Sequence, residues 1–230
     1  MRPEPALGLR RRPSTRTARL WSGDFLAVRA LERDVRAAGT AVAGRLLDLG
    51  CGLRPYAGAF PRVRRHLGYD RDPVGTRPDV CGTAVSLPFR DAAFDVVLAT
   101  QVLEHVPEPA TMLREARRVL VDGGVLLLSA PQYWRLHEEP HDYFRFTIHG
   151  LRVLLEEAGF VAIDVRVQGG VWHLVGQAVN NAVHQRFGAN VLTRGIFLAV
   201  NVTALALERI WPDKGDPMNY MVRAVAPAES

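Results

Sequence analysis

Asp48, Gly50, Cys51 and Gly52 stand in the run Leu46-Leu47-Asp48-Leu49-Gly50-Cys51-Gly52, where an apolar strand gives way to a glycine turn. Such a turn lets the backbone approach a ligand closely and aims free amides at it from a helix N-terminus. Two ligand classes use this design. A dinucleotide fingerprint requires glycine three positions after Gly52, where Pro55 stands, and Arg54 fills the nearer position. An acid at the strand end also has the wrong sign of charge for pyrophosphate. Asp48 instead suits a ligand with a cationic group, such as the amino group of a methionine moiety. Asp70 follows 22 residues later, closing Leu67-Gly68-Tyr69-Asp70, where a strand-tip carboxylate can accept both ribose hydroxyl hydrogens. The plain alternatives are an ordinary tight turn and a solvated strand-end acid. Cys51 reads as a small packed residue, not as a nucleophile.

Further along come Leu87-Pro88-Phe89, Asp91, Phe94-Asp95-Val96-Val97 and Gln101-Val102-Leu103-Glu104-His105. With the Asp48 turn and Asp70, this ordered set resembles the class I S-adenosylmethionine-dependent methyltransferases of the bacterial type 11-like group, from about Arg45 to Phe160. The resemblance implies S-adenosylmethionine as cofactor. It implies that Asp48, Gly50, Cys51 and Gly52 hold the methionine end, Asp70 the ribose, and residues just before Leu87 the adenine. Thr83, Leu87 and Gln101 complete the implied cofactor set. Two positions depart from the family pattern: Thr83 stands where an acid often precedes Leu-Pro-Phe by four residues, and Arg54 replaces the third glycine. A neutral threonine hydroxyl can still accept from the adenine amino group, with a bond weaker by about a factor of two.

Methyl transfer from a sulfonium requires the acceptor atom close and in line, with a base nearby when that atom begins as a neutral hydroxyl or amine. Candidates are Glu104 and His105 after the fourth strand, and His137-Glu138-Glu139-Pro140-His141-Asp142-Tyr143-Phe144-Arg145 after the fifth. His141 ranks above His105 as the base, because its loop also offers Asp142 and Tyr143 for orientation. The alternative for Glu104 and His105 is a structural role at a helix start. His137 to His141 matches the H-E-x-x-H zinc pattern, but Pro140 interrupts the helix that pattern needs, so no metal site is expected. The expected acceptor is a small molecule or a lipid-linked group, methylated at oxygen. A non-catalytic cofactor-binding module of the same fold is the rival reading, and a nucleic-acid methyltransferase the third.

Elements must bring these residues together. Strands are expected at Arg45 to Leu49, His66 to Tyr69, Phe94 to Ala99, Val125 to Ser129, Phe160 to Val167 and Tyr220 to Val225. Asp24 is placed to cap a first helix carrying Val28, Leu31 and Val35, ending near Gly39. Pro109 opens a helix with Met112, Leu113, Ala116 and Leu120 on one face, stopped by Gly123 and Gly124. Thr147 caps another, with Leu151, Leu154 and Leu155, that Gly159 ends. Strands apolar on both faces, alternating with amphipathic helices, give a doubly wound α/β fold. The sheet is expected to be Rossmann-like, mostly parallel and seven-stranded. Residues 171–210 break the alternation as a helical insertion before the last strand. Its apolar stripes read first as an extra core layer or a homodimer face, with a lid or a membrane-surface contact as the other uses.

Composition narrows the classes. Of 29 basic residues against 24 acidic, residues 1–20 hold six arginines against Glu4 alone, so the net charge of +5 resides in that tail and the body is neutral. A neutral body gives no basic groove, and no nucleic-acid partner is expected. Residues 1–20 are expected to form a disordered basic tail, and residues 21–230 the methyltransferase domain. Cys51 and Cys81 show no paired spacing, and no secretory pattern is present, which suits a cytoplasmic protein with reduced thiols. The longest apolar stretch, Gly195 to Leu207, includes Asn201 and Thr203, so no transmembrane span is expected.

Overall fold

The computed structural model describes residues 19–213 and 215–228. The basic tail lies outside the described residues as far as residue 18. One seven-stranded sheet carries the fold: β1 (Gly44–Leu49), β2 (Val63–Asp70), β3 (Val80–Cys81), β4 (Phe94–Thr100), β5 (Leu120–Pro131), β6 (Val161–Gln168) and β7 (Asn219–Val225). The order is β3-β2-β1-β4-β5-β7-β6. Only β7 runs against the rest, pairing antiparallel with β5 and β6. The doubly wound, mostly parallel sheet expected from the sequence is therefore present. The two-residue β3 has no sequence signal long enough to read.

Strands β1, β4 and β5 are central and wholly covered: Leu46, Leu47, Val97, Leu98, Leu126, Leu127 and Leu128 are all fully buried. Each such side chain contributes about 1.5–3 kcal/mol of burial. Helix α1 (Phe25–Thr40) covers one face through Leu31 and Val35. Helices α2 (Pro109–Val119) and α3 (Ile148–Glu157) cover the other through Met112, Leu113, Leu151 and Leu155. The Thr147 hydroxyl accepts from the Gly150 amide at 3.1 Å, as the cap expectation required. Asp24 occupies the N-cap position of α1, but its side chain makes no capping hydrogen bond.

Three local expectations are corrected. Gly123 and Gly124 do not end α2: the helix stops at Val119, Leu120 already pairs with Phe94, and both glycines lie within β5. No α-helix follows the glycine turn, since β1 leads through a single 3-10 turn, Ala57–Ala59, into β2. Pro55 and Pro61 bracket too few residues for a longer helix, so the turn's amides belong to no helix end. Strand β6 is also not apolar on both faces; it is an edge strand whose residues are exposed or half-buried up to the buried Gln168 at its end.

The insertion forms a hairpin of α4 (Val171–Phe187) and α5 (Val191–Ile210) packed on the start of α1. It is built with the opposite polarity to the expected core layer. Buried positions on α4 are Gly176, Gln177 and Asn180, and on α5 Thr193, Phe197, Asn201 and Ala204. Val175, Val179, Phe187, Leu192, Leu198 and Val202 face outward. Asn180 Nδ2 donates to Asn201 Oδ1 at 2.8 Å inside the hairpin. Gly176 has no room for a side chain, because a Cβ would lie 2.8 Å from Leu26 and 2.9 Å from Ala204. By length and composition alone, α5 is long and apolar enough to cross a membrane. Asn201, one of the residues that break the apolar run in the sequence, turns inward, while Thr203 stays exposed beside Val202.

Candidate functional site

The chain leaves β1 in one direction toward β2 and β3, and returns to β4 on the opposite side. Ligands of open α/β sheets bind outside the carboxyl ends of the strands at such a reversal. The ends of β1, β2, β4 and β5 bring Gly50–Gly52, Asp70, Gln101 and the segment after Pro131 to that edge.

The turn is tied to β2. The amides of Gly50 and Cys51 both donate to the Tyr69 carbonyl, at 2.8 and 3.1 Å. The Gly52 amide donates to Asp70 Oδ2 at 3.0 Å. Gly50 has φ +71°, and a Cβ there would lie 2.3 Å from Val102. Gly52, at φ +51°, has nothing within 4 Å of the Cβ position, so the turn faces open space. Arg54 takes the left-handed conformation, φ 53°, that a third glycine would adopt freely. Its guanidinium pairs with Asp79 at 2.8 Å and lies across Gly68, which keeps the side chain on β2.

Asp48 is buried, and His66 Nε2 lies 2.9 Å from its Oδ2. Burial raises the Asp48 pKa, opposed by the His66 hydrogen bond. Burial also pushes the Cys51 thiol up to about 11, with Asp48 and Asp70 adding to the shift, so it stays protonated at neutral pH. Thr83 is exposed, and its carbonyl accepts from the Tyr69 hydroxyl at 2.9 Å. Leu87 is buried, its amide held by Glu115 at 2.7 Å, and Arg118 binds the Leu87 and Phe89 carbonyls of the same turn. An open glycine turn beside a strand-tip carboxylate at the sheet's reversal fits the methionine and ribose ends of the implied cofactor.

Gln101 is in the left-handed region at φ 56°. Its side-chain amide donates to Ser129 Oγ at 3.1 Å and Asn219 Oδ1 at 2.9 Å. Asn219 in turn donates to Gln168, whose amide reaches Asp34 at 2.8 Å. This chain of amides joins β4, β7, β6 and α1 behind the site. Its members are spread along the sequence, and no local pattern announces them.

The segment after β5 crosses the carboxyl edge, and no helix spans residues 137–141. His137 and His141 do not converge. His141 is exposed, with Nδ1 3.0 Å from the Tyr143 hydroxyl. Asp142 does not orient His141 as its sequence position suggested. Its Oδ1 and Oδ2 take Arg145 at 2.6 and 2.8 Å, and Oδ2 accepts from the His137 amide at 2.9 Å. Arg145 holds the Asp142 carboxyl well below the usual carboxylate range. His137 instead meets His105, with the two Nε2 atoms 3.1 Å apart. Glu104 is fully buried beside them, and burial pushes its carboxyl up to about 8. Between the same segment and α4 lies a cleft of about 370 Å³, lined by Tyr133, Trp134, Arg135, Leu174, Gln177 and Asn181 among others.

Residues 47–128 match a methyltransferase-domain family model. A Mycolicibacterium smegmatis protein described as "Probable S-adenosylmethionine-dependent methyltransferase" is 35% identical over 159 residues, 62% of this chain and 61% of that protein. The chain thus spans about three fifths of that relative, and 41% of a Mycobacterium avium methyltransferase to which it is 36% identical over 104 residues. Among solved structures, the 4+2 cyclase SpnF is similar at 25% identity and TM-score 0.60, over 87% of this chain and 82% of that one. A Haemonchus contortus phosphoethanolamine N-methyltransferase 2, solved with S-adenosyl-L-methionine, shares the fold at 16% identity and TM-score 0.56, over 86% of this chain and 52% of that one. The sheet order and the glycine turn with Asp70 at the reversal thus accompany a match to the methyltransferase-domain family over residues 47–128 and similarity to S-adenosylmethionine-dependent methyltransferases.

Proposed function

We propose that the protein transfers the methyl group of S-adenosylmethionine to an oxygen of a small or lipid-linked acceptor, and that a lipid-linked acceptor fits best. The α4–α5 hairpin carries this reading. Gly176, Gln177, Asn180, Thr193 and Asn201 lie buried in the hairpin with Phe197 and Ala204, while Val175, Val179, Leu192, Leu198 and Val202 face outward, a polarity closer to helices that pack within lipid than to a soluble core. From Val171 to Leu207 there is no acidic residue, and the charges are Arg186 and Arg194 at the hairpin tip. That balance suits an anionic lipid surface. The cleft against α4 would then receive the headgroup end of the acceptor.

When bound, the cofactor supplies an electrophilic methyl on a sulfonium. Gly50, Gly52 and Asp70 would hold its methionine and ribose ends, the Leu87 turn and Thr83 its adenine side. The acceptor hydroxyl must lose a proton as the new bond forms, and His141, oriented by Tyr143, is the base on the loop that borders the cleft. Incubation with methyl-labelled cofactor and a bacterial total-lipid extract tests the reading. The expected outcome is label in an organic-phase product, located on oxygen by mass spectrometry. Label confined to aqueous products would remove the lipid-linked acceptor.

A second reading has one observation in its favour. The similar structure named a 4+2 cyclase indicates that this fold also serves other chemistry. Cofactor binding with no labelled product from lipid, aqueous or protein fractions would select it.

A further inference from the structure

We propose that Glu104, His105 and His137 form a three-ligand site for a divalent transition metal of the zinc class. The argument begins with the ring tautomers. His105 Nδ1 lies 2.6 Å from the His141 carbonyl oxygen, which can only accept, so Nδ1 carries the ring proton. His137 Nδ1 lies 3.2 Å from both the Arg135 carbonyl and Asp142 Oδ2, so it carries its proton for the same reason. Both Nε2 atoms are left with lone pairs, and the fold points them at each other across 3.1 Å. Two lone pairs at that separation repel unless a positive centre lies between them.

Glu104 supplies the independent observation. It is fully buried, and apart from its own backbone amide nothing among the described residues donates to either carboxylate oxygen. Arg145 does not serve it, because that guanidinium is bonded to Asp142 and to the carbonyls of Trp134, Arg135 and Phe144. One ligand atom from each of Glu104, His105 and His137 lies within 4.8 Å of the others, and His105 Nε2 is 3.9 Å from Glu104 Oε1. A buried carboxylate without donors, beside two imidazole lone pairs, is a donor set that lacks its cation.

The spacing suits a metal ion. With zinc–nitrogen bonds of about 2.0–2.1 Å, nitrogens this far apart subtend about 98° at the ion, between octahedral and tetrahedral values. The surroundings suit it as well. Each histidine donates its other ring N–H, His137 to a carboxylate that Arg145 holds in place and His105 to a backbone carbonyl, which is how metal-bound histidines are oriented. Two histidines and one carboxylate leave at least one position open for water or an acceptor oxygen. The site differs from the H-E-x-x-H reading, because His141 contributes its backbone carbonyl and not its ring.

The site can be tested without cofactor or acceptor, so its failure is separable from that of the methyl-transfer reading. Protein stripped with chelator is titrated with zinc alone against a chromogenic competitor, and with cobalt(II) while the visible d–d bands are recorded. One equivalent is expected to bind, with loss of at least about 100-fold in affinity for His105→Ala and for His137→Ala. Zinc binding should be unchanged in His141→Ala. Circular dichroism of each variant separates loss of the ligand from loss of the fold. The proposal is overturned if folded wild-type protein takes up no stoichiometric zinc or cobalt, which would leave a shared proton between the rings. It is also overturned if both ligand variants bind as wild type, or if His141→Ala abolishes binding.

Discussion

Replacing Asp142 by alanine removes an acceptor that joins two parts of the segment after β5. Its carboxylate takes Arg145 at 2.6 and 2.8 Å and the His137 amide at 2.9 Å, with only 1% of the side chain exposed. Breaking a buried ion pair from one side costs about 3–5 kcal/mol, because the partner's charge stays behind. Arg145 is 24% exposed and keeps three carbonyl acceptors, which places this case at the lower end, about 3 kcal/mol. For a chain of this size that corresponds to a fall in Tm of about 6–12 °C. Urea unfolding of wild type and Asp142→Ala at neutral pH measures the difference. The pH dependence gives a second check. Arg145 depresses the Asp142 pKa in the folded state, so the stabilisation is fully present above the unfolded carboxylate value of about 3.9. It is lost as pH falls through the lower folded value, and the two stability curves should converge in acid. A difference below about 1 kcal/mol at pH 7, or one that does not narrow below pH 4, would refute this account of how the loop is held.

Asp70→Ala should weaken S-adenosylmethionine binding by about 1.5–3 kcal/mol in calorimetry, the range for hydrogen bonds to a charged group, and unchanged affinity in folded protein places the ribose elsewhere. His141→Ala should lower turnover by about 10²–10⁴ with cofactor affinity retained; full activity in this variant moves the base to another residue. Val175→Ser with Val179→Ser should reduce co-sedimentation with anionic phospholipid vesicles while leaving Tm within a few degrees, because both side chains already face outward. If vesicle binding is unchanged and sedimentation instead shows a dimer becoming a monomer, the apolar face is a contact between copies of this chain.

How far the sequence reveals the structure depends on whether a signal is local. The buried centres of β1, β4 and β5 are short, mostly aliphatic runs, and burial on both faces requires such runs, so β1 and β4 could be placed closely, whereas β5 begins five residues before the expected Val125. Thr147 and Gly159 mark α3 because capping and the left-handed C-terminus act on adjacent residues. Gly123 and Gly124 misled because glycine ends helices and also permits an irregular strand start, and the pairing of Phe94 with Leu120 decides between them. The α4–α5 stripe misled for a different reason. Apolar periodicity shows that one face differs from another, but it does not show which of the two is covered. In this hairpin Asn180 donates to Asn201, and Asn201 donates to the Leu20 and Ser22 carbonyls, so the amide face could be buried and the aliphatic face left outside.

The site divides along the same line. The turn at Gly50 and Gly52 and the strand-tip position of Asp70 were legible as local geometry, because both are short motifs set within a few residues. Arg54 looked like a departure from the pattern, yet it takes the backbone conformation of the missing glycine and is held by Asp79, 25 residues away. The pairing of His105 with His137 and of Asp142 with His137 had no such signal. Asp142 neighbours His141 in sequence, and adjacency suggested that it oriented that ring. In the fold the chain between Pro131 and Thr147 doubles back across the carboxyl edge, with Tyr143 and Phe144 donating to the Glu104 carbonyl and Phe146 to that of Pro131. That return turns the His141 backbone carbonyl, not its ring, toward His105 and brings His137 alongside. A sequence motif reports which side chains are available on a loop; the backbone hydrogen bonds that fold the loop decide which of them meet, and they involve no side-chain identity that could be read in advance.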